Sequence, residues 1–332
     1  MPVQELVDQT FREMIERDPT KYSSFLFGLR AFKYLGVMRT GGNVRDALRR
    51  GRFLETMYVL MRRLDDIVDG DSQLPEGYNK TQADYIEEKM GFFQYPSNPE
   101  DEIEELIIGF REQAREISDI FYDQVIDNTY KIMTSLLFDA KRKGEMIIFN
   151  EDELLHHFHS LDIQGTIRAA LLIFNEDPRN CYALEPLGRA VRIYYNLRDF
   201  SEDFIDGYVN FSKEDYGRYS MNIPDLKSTR VVCFYIENDE VRTSGLKGKK
   251  RKARIAEIRQ KLVNSLPRSI RSWYSNQAHQ GLALLEDYRD NIEDTNFGWL
   301  TQKTLSYVFE RPAEQFFQEI RLLYSEMAIL QP

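Results

Sequence analysis

Three aspartates fall within five positions, Asp65-Asp66-Ile67-Val68-Asp69, at the end of an apolar run that begins near Tyr58. Aspartate is a poor helix-interior residue because its carboxylate competes for backbone groups, so such a cluster on a helix needs a cause. Residues three and four apart share a helix face, which aligns Asp65 with Asp69 and sets Asp66 beside them. Ionised carboxylates this close repel one another and resist desolvation. A hard divalent cation relieves both problems. Mg²⁺ takes one or two carboxylates plus substrate phosphate oxygens, and Mn²⁺ is the alternative ion. Arg62 lies three residues before Asp65, on the same side, where a guanidinium could grip phosphate. The plainer reading is a solvated acidic helix end running into Gly70.

A second stretch repeats the arrangement. Asp199 and Asp203 are four apart, with Glu202 adjacent and Arg198 before them, while Leu187, Val191, Tyr194, Leu197 and Ile205 supply an apolar face. One such pair of aspartates also describes an ordinary solvated face. Two acidic helices more than a hundred residues apart form a stronger pattern. Facing each other, they could hold several Mg²⁺ ions against a diphosphate and draw it from an allylic carbon, because cations stabilise charge building on the leaving oxygen. The carbocation left behind needs an apolar, partly aromatic pocket that excludes water. The chain has 21 Phe and 19 Tyr to build one.

The elements that must position these residues read as helices throughout. Apolar spacing predicts helices over 3–17, 44–69, 101–143, 151–174, 183–206, 253–289 and 297–328, with a further start at Ser23-Ser24. Residues 71–100 read as a loop insertion with short helical pieces around 82–90, and 225–250 as a second loop insertion. The 332 residues suffice for a sizeable core, and 42% hydrophobic with 30% charged residues reads as globular and soluble. Apolar density never collapses, which favours a single helical domain over 1–332. A net charge of −10 argues against nucleic acid as a partner. Cys181 and Cys233 form no metal pattern, and a reducing, cytoplasmic setting is the simplest expectation. No secretory signal and no bilayer-length apolar run is seen, so any membrane contact is expected to be peripheral.

The stretch Tyr58-x-x-x-Arg62-x-x-Asp65-Asp66-x-x-Asp69 resembles the first signature of the squalene/phytoene synthase family. Leu187-Gly188-x-Ala190 with Leu197-Arg198-Asp199-x-x-Glu202-Asp203 and Gly207 resembles its second. Ser24-Phe25 is similar to a serine-phenylalanine near that family's start. Ile163-Gln-Gly165-Thr-Ile167 resembles the helix between the signatures, and Phe138-Asp139-Ala-Lys-Arg142 falls where the family often has an acidic position. The resemblance spans roughly residues 20 to 290. It implies an all-α, single-domain class I isoprenoid synthase bundle with a central cavity. It also implies Mg²⁺-dependent head-to-head condensation of two prenyl diphosphates, C15 or C20, through a cyclopropyl intermediate. Asp65, Asp66, Asp69, Asp199, Asp203 and Glu202 would be the metal ligands. Arg62 and Arg198 would contact phosphate or brace the carboxylates, and Ser24, Phe25, Tyr58, Gly165, Arg168, Tyr194 and Tyr195 would line the substrate site.

Several positions depart from the family. Arg192 stands for its usual glutamine, Tyr195 for asparagine, and Tyr208, Asn210 and Ser212 replace its R-x-Y-x-P after Gly207. His159 stands for a tyrosine, and Arg168 for a glycine that would admit a prenyl chain, so the pocket is expected to be shortened or redirected. These changes spare the acidic residues and alter the walls. They leave room for a cyclase acting on one prenyl diphosphate, and for a catalytically silent relative serving in assembly or binding. No nicotinamide fingerprint is present, so a reductive, NADPH-using step has no support in the sequence. His156, His157 and His159 invite zinc, but surface or cavity roles fit a histidine group without further nearby ligands better. The basic run Lys247 to Lys252 reads as a solvated loop, or as a contact for anionic lipid headgroups.

Overall fold

A computed structural model describes residues 2–17, 44–241, 248–293, 295 and 297–330. Every regular element is helical and no strand occurs among the described residues. They group into two compact units. One comprises residues 1–141 and 160–182, the other 142–159 and 183–332. The even apolar density that favoured one domain carries no marker of this division, whose boundaries fall within or beside helices.

The first unit is built on α1 (Val3–Arg17), α2 (Val44–Asp69), α3 (Gln82–Gln94), α4 (Glu102–Ile117), most of α5 (Asp119–Arg142) and the short α7 (Arg168–Ile173). The spacing read for residues 3–17 and 44–69 matches α1 and α2 end to end. α1 buries Leu6, Val7, Phe11 and Met14, and lies against α2 and α4. Phe53 on α2 packs on Phe110 and Phe121 at ring-centroid distances of 4.9 and 5.1 Å. Each such buried ring contributes about 2–3 kcal/mol relative to exposure. α3 forms inside the expected 71–100 loop because Thr81 and Asp84 make a reciprocal capping box. The stretch expected to be helical over 101–143 is divided at Ser118, whose extended backbone ends α4 and whose hydroxyl accepts from the Phe121 amide.

The stretch expected to be one helix over 151–174 has three parts: α6 (Glu151–Phe158), the π-helix π1 (His159–Ile167) and α7. α6 begins at an Asn150–Glu153 capping box. A π-helix of this length is uncommon, and π-segments are found frequently at functional sites.

In the second unit, α8 (Cys181–Arg198), α9 (Phe200–Ile205), α10 (Lys213–Arg218), α11 (Ile223–Val241), α12 (Gly248–Ser265), α13 (Arg268–Glu293), α14 (Trp299–Leu305), π2 (Ser306–Glu310) and α15 (Arg311–Leu330) follow in order. The expected loop over 225–250 is corrected here. α11 continues to Val241: Pro224 lies in its first turn, where a missing N–H costs no helical hydrogen bond, and Thr229, Cys233 and Ile236 give it a buried stripe. α9 packs on α11, and α13 on α15. The core is aromatic. Phe200, Phe204 and Phe211 gather on Trp273 and Tyr274, with Phe200–Tyr274 edge-on at 5.7 Å and Phe211–Trp273 at 5.5 Å. Both polar tips are satisfied: Trp273 donates to Asp215 at 3.1 Å and Tyr274 to the Leu197 carbonyl at 2.7 Å. Among the described residues no helix is long and apolar enough to cross a membrane.

Candidate functional site

The first acidic motif closes the last turn of α2. Asp66 is buried at 3% exposure, Asp65 is half-buried and Asp69 is exposed. Burial of Asp66 is tolerated because two guanidinia reach it. Arg17, the last residue of α1, donates from Nη1 to Oδ1 at 3.0 Å and from Nη2 to Oδ2 at 3.4 Å. Arg62 pairs with the same Oδ1 from one turn earlier. Arg62 also donates to Asp65 at 2.9 Å and to Asp71 at 3.3 Å, and Arg17 donates to Asp71 at 2.9 Å. The site is therefore a lattice of two arginines and three carboxylates, with Asp69 at its rim. Arg63 braces it from behind: it donates to Thr10 at 3.0 Å and pairs with Glu13 at 2.9 Å, which fixes α1 along α2.

The arginines do not balance the negative charge. Asp65 is pushed up to about 6, chiefly by burial; Arg62 pulls it down, and Asp66, Asp139 and Asp71 push it further up. Its side chain keeps 39% of its surface, so water screens part of this effect. Asp139, on α5, thus belongs to the electrostatic neighbourhood of Asp65. Hydrogen bonding to Asp66 raises Arg17 above the usual guanidinium range and keeps it charged.

The second motif does not lie on one continuous helix. α8 ends at Arg198, Asp199 takes φ −95° and ψ 12°, and α9 starts at Phe200. The expected single helix over 183–206 is therefore interrupted at the first aspartate. The i→i−4 bonds persist through the irregularity, from Asp199 N to Tyr195 O and from Asp203 N to Asp199 O, both at 2.9 Å. Arg198 grips Asp199 in a fork, at 2.6 and 2.5 Å, and lies over the rings of Tyr195 and Tyr194 at 4.7 and 5.3 Å. Burial opposes the Arg198 charge, but the hydrogen bonds and charge of Asp199 outweigh it, and the guanidinium stays protonated.

Asp203 is half-buried and its carboxyl is raised well above the usual range, first by burial and then by Asp199, with Arg142 and Arg192 opposing and Glu202 adding to it. Its direct partner is Asn210, which donates at 2.8 Å and in turn accepts from Arg142 at 3.1 Å. Arg142 also sits 5.0 Å from the Tyr208 ring centre. Residues that depart from the family pattern, Tyr208 and Asn210, thus form the wall behind Asp203. The turn that follows depends on Gly207, at φ +86°, where an added Cβ would lie 2.6–2.8 Å from the Gly144 backbone. Gly144 N donates to Asp206 O at 2.7 Å at the same crossing. Only glycine meets both conditions.

The other expected site residues fall in both units. Tyr58 is half-buried, with its ring centre 6.4 Å from that of Phe11. Tyr194 packs edge-on against Phe316 at 5.3 Å, and Arg192 lies over Phe158 at 5.0 Å. Gly165, in π1, is buried against α5: a Cβ there would lie 2.5 Å from Ile132 Cγ1, so its small size serves close packing rather than an open wall. Arg168 is half-buried, and its Nε finds no hydrogen-bond acceptor among the described residues. His156 is exposed, His157 buried, and His159 lies 3.9 Å from Glu185. Ser24 and Phe25 lie outside the described residues, as does Lys247 of the basic run.

Sequence reasoning missed Arg17 and Asp71 altogether, and met Asp139, Arg142 and Asn210 only through the family pattern. No local signal marks Arg17, since its partner is 49 residues away.

Oxygen-only donors with an excess of negative charge suit a hard divalent cation. Among the described residues no three His, Cys, Asp or Glu side chains converge closely enough to hold an ion by themselves. Compared with known proteins, the chain matches no family model and no curated sequence.

Proposed function

We propose that this chain is a Mg²⁺-dependent prenyltransferase of the squalene/phytoene synthase type, releasing diphosphate from prenyl diphosphates and joining two of them head to head. The observation that carries the reading is that each acidic motif pairs arginine with partly buried carboxylates whose ionisation is suppressed, at Asp65 and at Asp203. Carboxylates in that condition gain most from a divalent cation and are of little use to a purely structural ion pair. Asp65, Asp66 and Asp69 would hold one set of ions, and Asp199 and Asp203 with Glu202 another. Mg²⁺ when bound supplies neutralisation of the charge developing on the departing phosphate oxygen.

The chain's own contribution is threefold. Arg198 already binds Asp199 through a charged fork and Arg62 bonds to Asp65, Asp66 and Asp71, and both would turn toward phosphate oxygens once the carboxylates take an ion. Arg17 would hold the Asp66 carboxylate in place from a neighbouring helix. Tyr194, Tyr195 and Tyr58 would supply aromatic faces that tolerate a nearby cationic carbon. The Arg168 Nε offers one further donor to a phosphate.

The test is incubation of the protein with Mg²⁺ and geranyl, farnesyl or geranylgeranyl diphosphate, followed by hexane extraction and a diphosphate assay. A dimeric hydrocarbon is the expected product. A terpene of one unit would replace coupling by cyclisation. The absence of diphosphate release from every substrate would leave a non-catalytic binding or assembly role and end the enzymatic reading.

A further inference from the structure

Two guanidinia of the first unit converge on the same pair of oxygens. Arg17 Nη1 lies 3.0 Å from Asp66 Oδ1 and 2.9 Å from Asp71 Oδ2. Arg62 Nη2 pairs with Asp66 Oδ1 as well, and donates to Asp71 Oδ2 at 3.3 Å. The four atoms form a closed ring of alternating charge. Guanidinia held this close repel each other, so the arrangement needs an anion on either side of it.

The two anions of the ring are held differently. Asp66 is buried within α2, and Arg17 also reaches its second oxygen at 3.4 Å. It cannot leave the ring without unwinding the end of the helix. Asp71 lies beyond that end, after Gly70 at φ +77°, and keeps 49% of its side-chain surface. The backbone around it is anchored without its carboxylate: the Gly70 amide donates to the Ile67 carbonyl at 3.2 Å, and the Ser72 amide to the Asp66 carbonyl at 2.9 Å. Asp71 can therefore turn out to water by side-chain rotation alone. An ion pair exposed to that extent is weak and easily exchanged. Its departure would withdraw one carboxylate from both guanidinia at once. A phosphate group suits the place it leaves, because its several oxygens accept from two arginine forks together.

We infer that Arg17 and Arg62 form a seat for one phosphate group of a diphosphate, and that Asp71 holds this seat until the phosphate displaces it. The inference rests on the diphosphate chemistry proposed above and adds two residues to it. Arg17 becomes a phosphate-binding side chain: Nη2 stays on Asp66 while Nη1 passes from Asp71 to a phosphate oxygen. Asp71, outside the acidic motif and given no metal in that reading, becomes an internal competitor that sets the affinity of the seat. A ligand that must first expel a resident carboxylate binds more weakly by the fraction of time the seat is taken.

The experiment is isothermal titration calorimetry of the full-length protein with magnesium pyrophosphate, for wild type, D71N, R17Q and D71N/R17Q. D71N is expected to bind roughly three- to tenfold more tightly, because the seat no longer has to be vacated. R17Q is expected to bind more weakly than wild type. D71N/R17Q is expected to bind no more tightly than R17Q, because the competition exists only at a seat that Arg17 helps to form. Both side chains are substituted at exposed positions, and circular dichroism checks the fold of each variant. Unchanged binding by D71N or by R17Q would overturn the inference. Weaker binding by D71N would overturn it by assigning Asp71 to the metal. An equal gain from D71N with and without Arg17 would overturn it by reducing the effect to the loss of a nearby negative charge. Each of these results leaves the prenyltransferase reading standing if a prenyl substrate still releases diphosphate. Absence of binding by wild type and all three variants would end both.

Discussion

Arg17, at the end of the first helix, donates to Asp66, near the end of the second, across 3.0 Å and a sequence separation of 49 residues. The contact locks the central carboxylate of the first acidic motif from outside its own helix. It also changes what substitution of Asp66 means. The motif read from sequence alone suggests that D66A abolishes diphosphate release with little loss of fold. With Asp66 buried beneath two guanidinia, its removal takes from Arg17 and Arg62 their shared buried partner and leaves them with Asp65 and Asp71. D66A is therefore expected to lose about 2–4 kcal/mol of stability in urea denaturation as well as activity.

Arg17 itself separates fold from chemistry. Its side chain is 38% exposed, so R17Q retains an easily solvated group while Arg62 still covers Asp66. A loss of about 1–2 kcal/mol is expected, against a larger loss for R62Q, which uncouples Asp65, Asp66 and Asp71 together. Equal urea midpoints for wild type and R17Q would show that the contact contributes nothing.

Asp65 makes stability depend on pH in a defined direction. Its folded pKa, about 6, exceeds the ordinary 3.8 of the unfolded chain. The folded state therefore binds this proton more tightly. The resulting stabilisation is complete below the unfolded value and is lost as pH rises through about 6. After screening of a side chain that is 39% exposed, the difference amounts to about 1 kcal/mol. D65N is expected to remove this decline, so that variant minus wild-type stability grows in its favour between pH 4 and pH 7. A difference that is flat with pH would contradict the raised pKa.

The same imbalance sets an expectation for metal. Mg²⁺ competes with protons for ionised Asp65, so Mg²⁺ with inorganic pyrophosphate is expected to raise the melting temperature more at pH 7.5 than at pH 5. D69N, an exposed substitution with little cost to the fold, is expected to reduce that rise. Identical melting curves with and without the pair of ligands would count against the site as a metal–diphosphate centre, independently of any turnover.

Two glycines distinguish packing from pocket. G207A introduces a Cβ at φ +86° and 2.6 Å from Gly144, and is expected to cost about 3 kcal/mol or more, or to prevent folding. G165A places a methyl 2.5 Å from Ile132 and 3.0 Å from the Ser160 carbonyl, with an expected loss of about 1–3 kcal/mol. If Gly165 faced an open substrate wall, G165A would leave the melting temperature unchanged and alter only the product.

What the sequence determined by itself is local. Apolar residues at helical spacing marked α1 and α2 to their ends, because a buried stripe is periodic in the chain, and the two acidic motifs were legible because like charges three and four apart are conspicuous on a helix. Interruptions at Ser118 and Asp199, and the π-turns of π1, were not legible. Backbone irregularities of this kind are held by packing from other elements, and the chain around them remains periodic. The partners of the acidic residues, Arg17, Asn210 and Arg142, were decided only by tertiary structure. A charge or an amide chooses its partner through space, and nothing in the order of residues records which helix end will arrive beside it.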